Sequence, residues 1–276
     1  MGSDPISFCD AQGTRHAPAG PDARIACLVP SITELVCELG LTDRLVARTG
    51  FCVHPREVVA SIPKVGGTKD LDIARLKALA PTHAIVNIDE NRRPEALQIA
   101  EFVPHVVVTH PLGPDDNLPL YRLIGGIFGA DKQAALLSDA FEQARAQARR
   151  ECAALPRETV LYLIWKDPWM TVARDTYISR TLAEVGWDTL PVDAGARYPE
   201  IELAAAAAGA GRILLSSEPY RFTTVHVDAM RRDLPGQSVM LIDGEMTSWY
   251  GPRAITGMHY LARLRKDLSA RDASPL

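Results

Sequence analysis

The sequence predicts an α/β protein made of two similar halves, each a mainly parallel sheet with flanking helices, with one long helix between them. Three observations carry this. Short apolar runs alternate with segments of helical periodicity along the chain, the pattern of strands joined through helices. The 276 residues, 47% of them hydrophobic, supply two cores of ordinary size. Residues 131–155 form a stretch without Gly or Pro, rich in Ala, Gln, Glu and Arg.

Each element has a local reason. Residues 1–22, rich in Gly, Pro, Asp and Ala, are expected to be a disordered tail. Arg24 to Val29 reads as a buried strand stopped by Pro30. Ser31-Ile32-Thr33-Glu34 has the form of a capping box, opening a helix that carries Ile32, Leu35, Val36 and Leu39 on one face and ends at Gly40. Strands are expected over 44–47, 83–88 and 105–109, and helices over 71–79, 94–102 and 118–128, the last closed by Gly129.

In the long stretch, Leu137, Phe141, Ala144, Ala148, Cys152 and Leu155 keep helical spacing, opposite Glu142, Arg145, Arg149 and Arg150. Roughly 25 residues at 1.5 Å each give about 37 Å, enough for a rigid connector. After Pro156 the alternation restarts, with strands over 159–164, 212–215 and 239–242 and helices over 176–185, 201–208, 225–232 and 252–265. The chain therefore divides into the tail (1–22), an N-terminal lobe (23–130), the connecting helix (131–156) and a C-terminal lobe (157–276).

Composition narrows the function. A net charge of −4 excludes the basic surplus that general nucleic-acid or anionic-membrane binding needs. No segment approaches the ~20 apolar residues of a membrane helix. The start lacks the basic and apolar regions of a secretory signal, so the sequence as written reads as cytoplasmic, or periplasmic if a signal has been removed. The five cysteines (Cys9, Cys27, Cys37, Cys52, Cys152) are odd in number and widely spaced, against a disulfide scaffold or structural zinc. Cys27 and Cys37 read as small buried hydrophobes.

Ligands of open parallel sheets sit beyond the carboxyl ends of the strands. The loops there are Pro30-Ser31, Phe51 to Pro55, Asn87 to Arg92, Trp165 to Met170, Ser216 to Phe222 and Asp243 to Arg253. Aromatic residues are 6% of the chain, yet Trp165, Trp169 and Trp249, three of the four tryptophans, fall in these loops with Phe51, Tyr220, Phe222 and Tyr250. Such rings suit a flat or bulky apolar ligand. His54 is a candidate axial ligand to a metal already carried by a macrocycle, or else an ordinary hydrogen-bonding loop residue. No phosphate loop, nucleophile elbow or zinc-hydrolase motif is present. Asp243 and Glu245 are the candidate acid–base pair if the protein is an enzyme; a turn at a strand end explains them equally well.

Leu28-Val29-Pro30-Ser31-Ile32-Thr33-Glu34-Leu35 resembles the opening of vitamin B12- and ferric-siderophore-binding proteins, the helical-backbone (class III) substrate-binding proteins of ABC importers. Val65-Gly66-Gly67 with Leu71-Asp72 and Leu76 to Thr82, Trp165 to Met170, Ser216 to Tyr220 and Asp243 to Arg253 extend the likeness over 24–265. The resemblance implies two Rossmann-like lobes joined by one helix, and a monomer that binds its ligand between them without intrinsic cofactor or catalysis. The implied ligand is a cobalamin-type corrinoid; a ferric siderophore, with Lys166, Arg253 and Arg221 supplying positive charge, is the alternative, and an enzyme acting on a corrinoid is the third reading. Pro30, Phe51, His54, Trp165, Lys166, Trp169, Trp249, Tyr250 and Arg253 are the implied ligand contacts. Glu90 (with Asp89 and Glu95 as rivals) and Glu218 are implied as exposed carboxylates that meet arginines of an ABC permease.

Overall fold

The computed structural model describes residues 8–193 and 195–272. The chain forms two compact units. The first comprises residues up to Pro111, Asp115–Ala140 and the short segment Tyr250–Pro252; the second comprises Leu112–Pro114, Phe141–Trp249 and the residues from Arg253 on.

The N-terminal unit begins with a hairpin of β1 (Phe8–Cys9) and β2 (Arg15–His16). It continues through β3 (Ile25–Cys27), α1 (Pro30–Glu38), β4 (Leu45–Arg48), α2 (Arg56–Val59), α3 (Ile73–Ala78), β5 (His83–Asn87), α4 (Arg93–Ala100), β6 (His105–Thr109) and α5 (Asn117–Phe128). The sheet runs β4-β3-β5-β6, all parallel. Alternate residues Ala26 and Leu28, Ala84 and Val86, and Val108 pack with Leu76 and Ile99 of the helices on one face. The 22-residue helix α6 (Asp131–Cys152) carries the chain from one unit to the other. Leu137, Phe141, Ala144, Ala148 and Cys152 are its buried stripe, as their spacing predicts.

The C-terminal unit contains β7 (Glu158–Trp165), β8 (Met170–Thr171), α7 (Tyr177–Ala183), β9 (Trp187–Thr189), α8 (Leu203–Ala208), β10 (Arg212–Ser216), α9 (Thr224–Asp233), β11 (Val239–Ile242), α10 (Gly244–Ser248) and α11 (Arg253–Asp272). Its parallel strands run β11-β10-β7, with β9 beside the start of β7 and β8 antiparallel to its end. Among the described residues no helix is long and apolar enough to cross a membrane.

Three local expectations are corrected. Residues 1–7 lie outside the described residues, but 8–22 are not a disordered tail. Asp10 is buried, and its carboxylate accepts from Gln12 N, Thr14 N and Val108 N at 2.9, 2.9 and 3.0 Å and pairs with His16 at 3.1 Å. These bonds turn the hairpin and fix it to β6. The capping box at Ser31 does not form, because α1 begins two residues earlier, with Pro30 in its first turn and Val29 as N-cap. Cys27 is buried, whereas Cys37 is only half-buried; all five thiols are free.

Candidate functional site

In each unit the chain reverses direction across its sheet at one point. In the N-terminal unit this lies between β3 and β5, and in the C-terminal unit between β7 and β10. The carboxyl ends of such strand pairs leave a crevice between loops that diverge to opposite sides.

The loop after β5 is held by two buried asparagines. Asn87 Oδ1 accepts from Asp89 N at 2.8 Å, while Asn91 accepts from Asn87 N at 2.8 Å and donates to Leu28 O at 3.2 Å and Thr68 O at 3.1 Å. Asp89 pairs with His110 at 3.4 Å. The loop after β4 is gathered by buried Arg48, whose guanidinium donates to the carbonyls of Val59, Thr49 and Cys52 at 2.7, 3.1 and 3.0 Å. With its backbone so held, this loop exposes Phe51 (62%) and Val53 (44%), and Ile88 after β5 is 45% exposed. His54 is half-buried beside Pro55, and Pro30 is buried in the first turn of α1.

Tyr250 belongs to the same unit. It is buried and its hydroxyl donates to Glu90 Oε1 at 2.5 Å. Burial, with the Glu90 carboxylate beside it, pushes the phenol well above its ordinary pKa.

In the C-terminal unit, the chain after β7 is not a plain loop but a tight return into β8. It presents Trp165, 40% exposed, edge-on to Tyr220 at 5.6 Å, and Trp169 stacked on Phe222 at 6.0 Å. Lys166 Nζ lies 5.9 Å from the Trp169 ring centre. The turn after β10 is tied by Tyr162, whose hydroxyl bonds Ser216 at 2.8 Å and Thr247 at 2.6 Å; Ser216 in turn donates to Glu218 O at 2.6 Å.

Glu218 Oε1 accepts from Ser248 Oγ at 2.6 Å and from Trp249 Nε1 at 2.8 Å. Burial, aided by the neighbouring Glu245 and Asp243, raises its carboxyl pKa against the lowering effect of those donors. Arg253 pairs with Glu245 at 3.2 Å and lies 5.0 Å over the Trp249 ring. Asp243 is the N-cap of α10 and accepts from Met246 N at 3.3 Å. Both candidate acid–base carboxylates are therefore engaged in structure, one as a cap and one in an ion pair. Among the described residues no group of three or more His, Cys, Asp or Glu side chains could hold a metal ion.

A family profile described as periplasmic binding protein matches residues 25–233. The chain belongs to the periplasmic binding protein family. A relative, the vitamin B12-binding protein of Vibrio campbellii, is 24% identical over 213 residues, covering 72% of this chain and 70% of the relative. The crystal structure of the periplasmic vitamin B12 binding protein BtuF of Vibrio cholerae matches with a TM-score of 0.78 at 17% identity, over 90% of this chain and 98% of that one. The periplasmic heme-binding protein RhuT from Roseiflexus matches with a TM-score of 0.77 at 21% identity, over 89% and 98%. An ABC-type Fe3+-hydroxamate transport system structure from Saccharomonospora viridis gives 0.72 at 18%, over 94% and 98%. At these identities the likeness to the solved structures is one of fold.

For this periplasmic binding protein, two expectations about the carboxylates and tryptophans change. Glu90 and Glu218 are not exposed; each is half-buried and accepts from an adjacent aromatic donor. Trp249 (8% exposed) and Tyr250 (6%) are largely buried rather than open rings. The physical reason is the same for both, since an indole N–H and a phenol O–H inside a fold need acceptors, and these carboxylates supply them. Sequence reasoning missed Arg48, Asn87 and Asn91. Their signal was present as polar side chains at the carboxyl ends of otherwise apolar strands or in the loops just beyond.

Proposed function

We propose that the protein is a non-catalytic binder of a metal chelate with a large apolar surface, a cobalamin-type corrinoid first among them. It would serve as the substrate-binding component of an ABC importer in the periplasm. The observation that carries the reading is that exposed apolar side chains stand at the carboxyl ends of parallel strands within each unit, Phe51, Val53 and Ile88 in the N-terminal one and Trp165 in the C-terminal one. Exposed groups of this size on rigidly held loops are what a bulky apolar ligand recognises. The vitamin B12-binding relative supports the corrinoid. His54, Trp169, Tyr250 and Arg253 are retained as proposed contacts, as are Pro30 and Trp249.

A second reading, a heme or ferric siderophore, is supported by Lys166 and Arg253, each a cation set over a tryptophan face. Acid–base catalysis is disfavoured by the structural engagement of Asp243 and Glu245.

The test is a calorimetric panel with aquocobalamin, hemin and a neutral ferric trihydroxamate, with absorbance spectra recorded alongside. Micromolar or tighter binding of aquocobalamin supports the corrinoid, and a spectral change lost in His54→Ala assigns the axial contact. Binding of an iron chelate alone selects the second reading.

A further inference from the structure

We propose that Glu218 is a positioning residue of the ligand site: by accepting the indole N–H of Trp249 it fixes the ring on which the Arg253 guanidinium lies. This rests on the proposed binding function for its consequence on affinity, though not for its geometry.

Four observations carry it. Glu218 Oε1 receives both Trp249 Nε1–H and Ser248 Oγ–H, so two consecutive residues of the chain are tied to one oxygen. The backbone of α10 approaches the Glu218 side chain closely. A Cβ at Gly244 would stand 2.5 Å from Glu218 Cγ and 2.6 Å from Ser216 Oγ, so only glycine lets the carboxylate reach its donors. The turn bearing Glu218 is itself pinned by the buried Tyr162–Ser216–Thr247 bonds. Arg253 lies over the face of the same indole and pairs with the Glu245 carboxylate. The carboxylate expected to face outward to a partner thus turns inward and orders an aromatic–cation pair.

A charge-assisted hydrogen bond fixes an indole by its N–H direction, and the cation follows the ring face. Glu218→Gln keeps an acceptor oxygen of the same reach, whereas Glu218→Ala removes it.

The experiment records the indole N–H region of the proton–nitrogen correlation spectrum for the wild type and both variants. The Trp249 signal is assigned by its loss in Trp249→Phe. Affinities for aquocobalamin, hemin and a neutral ferric trihydroxamate are measured in parallel. The expected result is a Trp249 signal displaced and faster-exchanging in Glu218→Ala and near its wild-type position in Glu218→Gln. Affinity for whichever probe binds should fall roughly tenfold in the alanine variant and recover in the glutamine one. If the alanine variant fails to fold, Glu218→Met, which fills the same space without an acceptor, replaces it. A Trp249 signal that stays in place without the acceptor, or that moves as far in Glu218→Gln, overturns the proposal. Failure of all three probes to bind the wild type overturns the ligand reading instead, and the indole signal still decides the positioning claim.

Discussion

Tyr250 and Glu90, 160 positions apart in sequence, share a hydrogen bond of 2.5 Å within the N-terminal unit. The neighbouring Gly251 is tied to the same unit twice, its carbonyl accepting from Tyr121 Oη and its N–H donating to Asn117 Oδ1, each at 2.8 Å. The three-residue segment 250–252 is therefore an integral part of a unit whose other residues end at position 140. Tyr250→Phe removes this donor from a half-buried carboxylate and is expected to cost about 1–3 kcal/mol in urea unfolding. Glu90→Gln, which keeps an acceptor, should cost less.

The exposed and the buried aromatics should behave differently when removed. Phe51→Ala and Trp165→Ala touch side chains 62% and 40% exposed, so the melting temperature should change little while ligand affinity falls. A loss of roughly tenfold for each corresponds to about 1.4 kcal/mol of binding energy. Trp249→Ala empties a buried position and should lower both stability and affinity. Calorimetric melting and titration of the three variants separate the two classes.

The N-terminal hairpin should contribute measurably to stability. Asp10→Ala removes an acceptor of three backbone N–H groups and the partner of buried His16. A loss of about 2–4 kcal/mol is expected. Gly126 of α5 lies against Phe8 of β1 so closely that an added Cβ would stand 2.1 Å from its ring. Gly126→Ala should therefore displace the hairpin, seen as faster hydrogen exchange at residues 8–16 with the sheet strands unchanged.

His83 gives a pH dependence with a definite sign. Burial, followed by His105 and His16, lowers its pKa to about 4 from an ordinary value of 6.5. Above that ordinary value the imidazole is neutral in both states and contributes no slope. As the pH falls from 6.5 towards 4 the unfolded chain takes up a proton that the folded one refuses, so stability declines over that window. The loss amounts to at most about 3 kcal/mol. In His83→Gln this part of the decline should vanish, and the stability difference between variant and wild type should shift in the variant's favour as the pH is lowered.

How much of this was legible in the sequence follows from the range of the interactions. Periodicity located β6 (His105–Thr109) and β11 (Val239–Ile242) to the residue, and it found the buried stripe of α6, because burial on one face writes a regular pattern. The hairpin at 8–16 was invisible. Its strands are two residues each, and what holds it is long-range: Asp10 and the Ala11 N–H reach Val108, about a hundred positions away, and Phe8 packs on Gly126. β8 and α10 fall in segments whose sequence reads as loop, because elements of two and five residues are too short to show a period. Aromatic enrichment singled out loops at the carboxyl ends of the strands. The division between open rings (Phe51, Trp165) and buried ones (Trp249, Tyr250) depends on where Glu218 and Glu90 lie in space, which spacing does not encode.

The most direct measurement is a titration of the wild type and of a Phe51→Ala, Trp165→Ala double variant with aquocobalamin, hemin and a neutral ferric trihydroxamate. One equivalent of at least one chelate should bind per chain at micromolar or tighter affinity, weakened roughly a hundredfold in the double variant if the two losses add. No binding of any of the three, or binding that the double variant leaves intact, would contradict the proposed chelate-binding function.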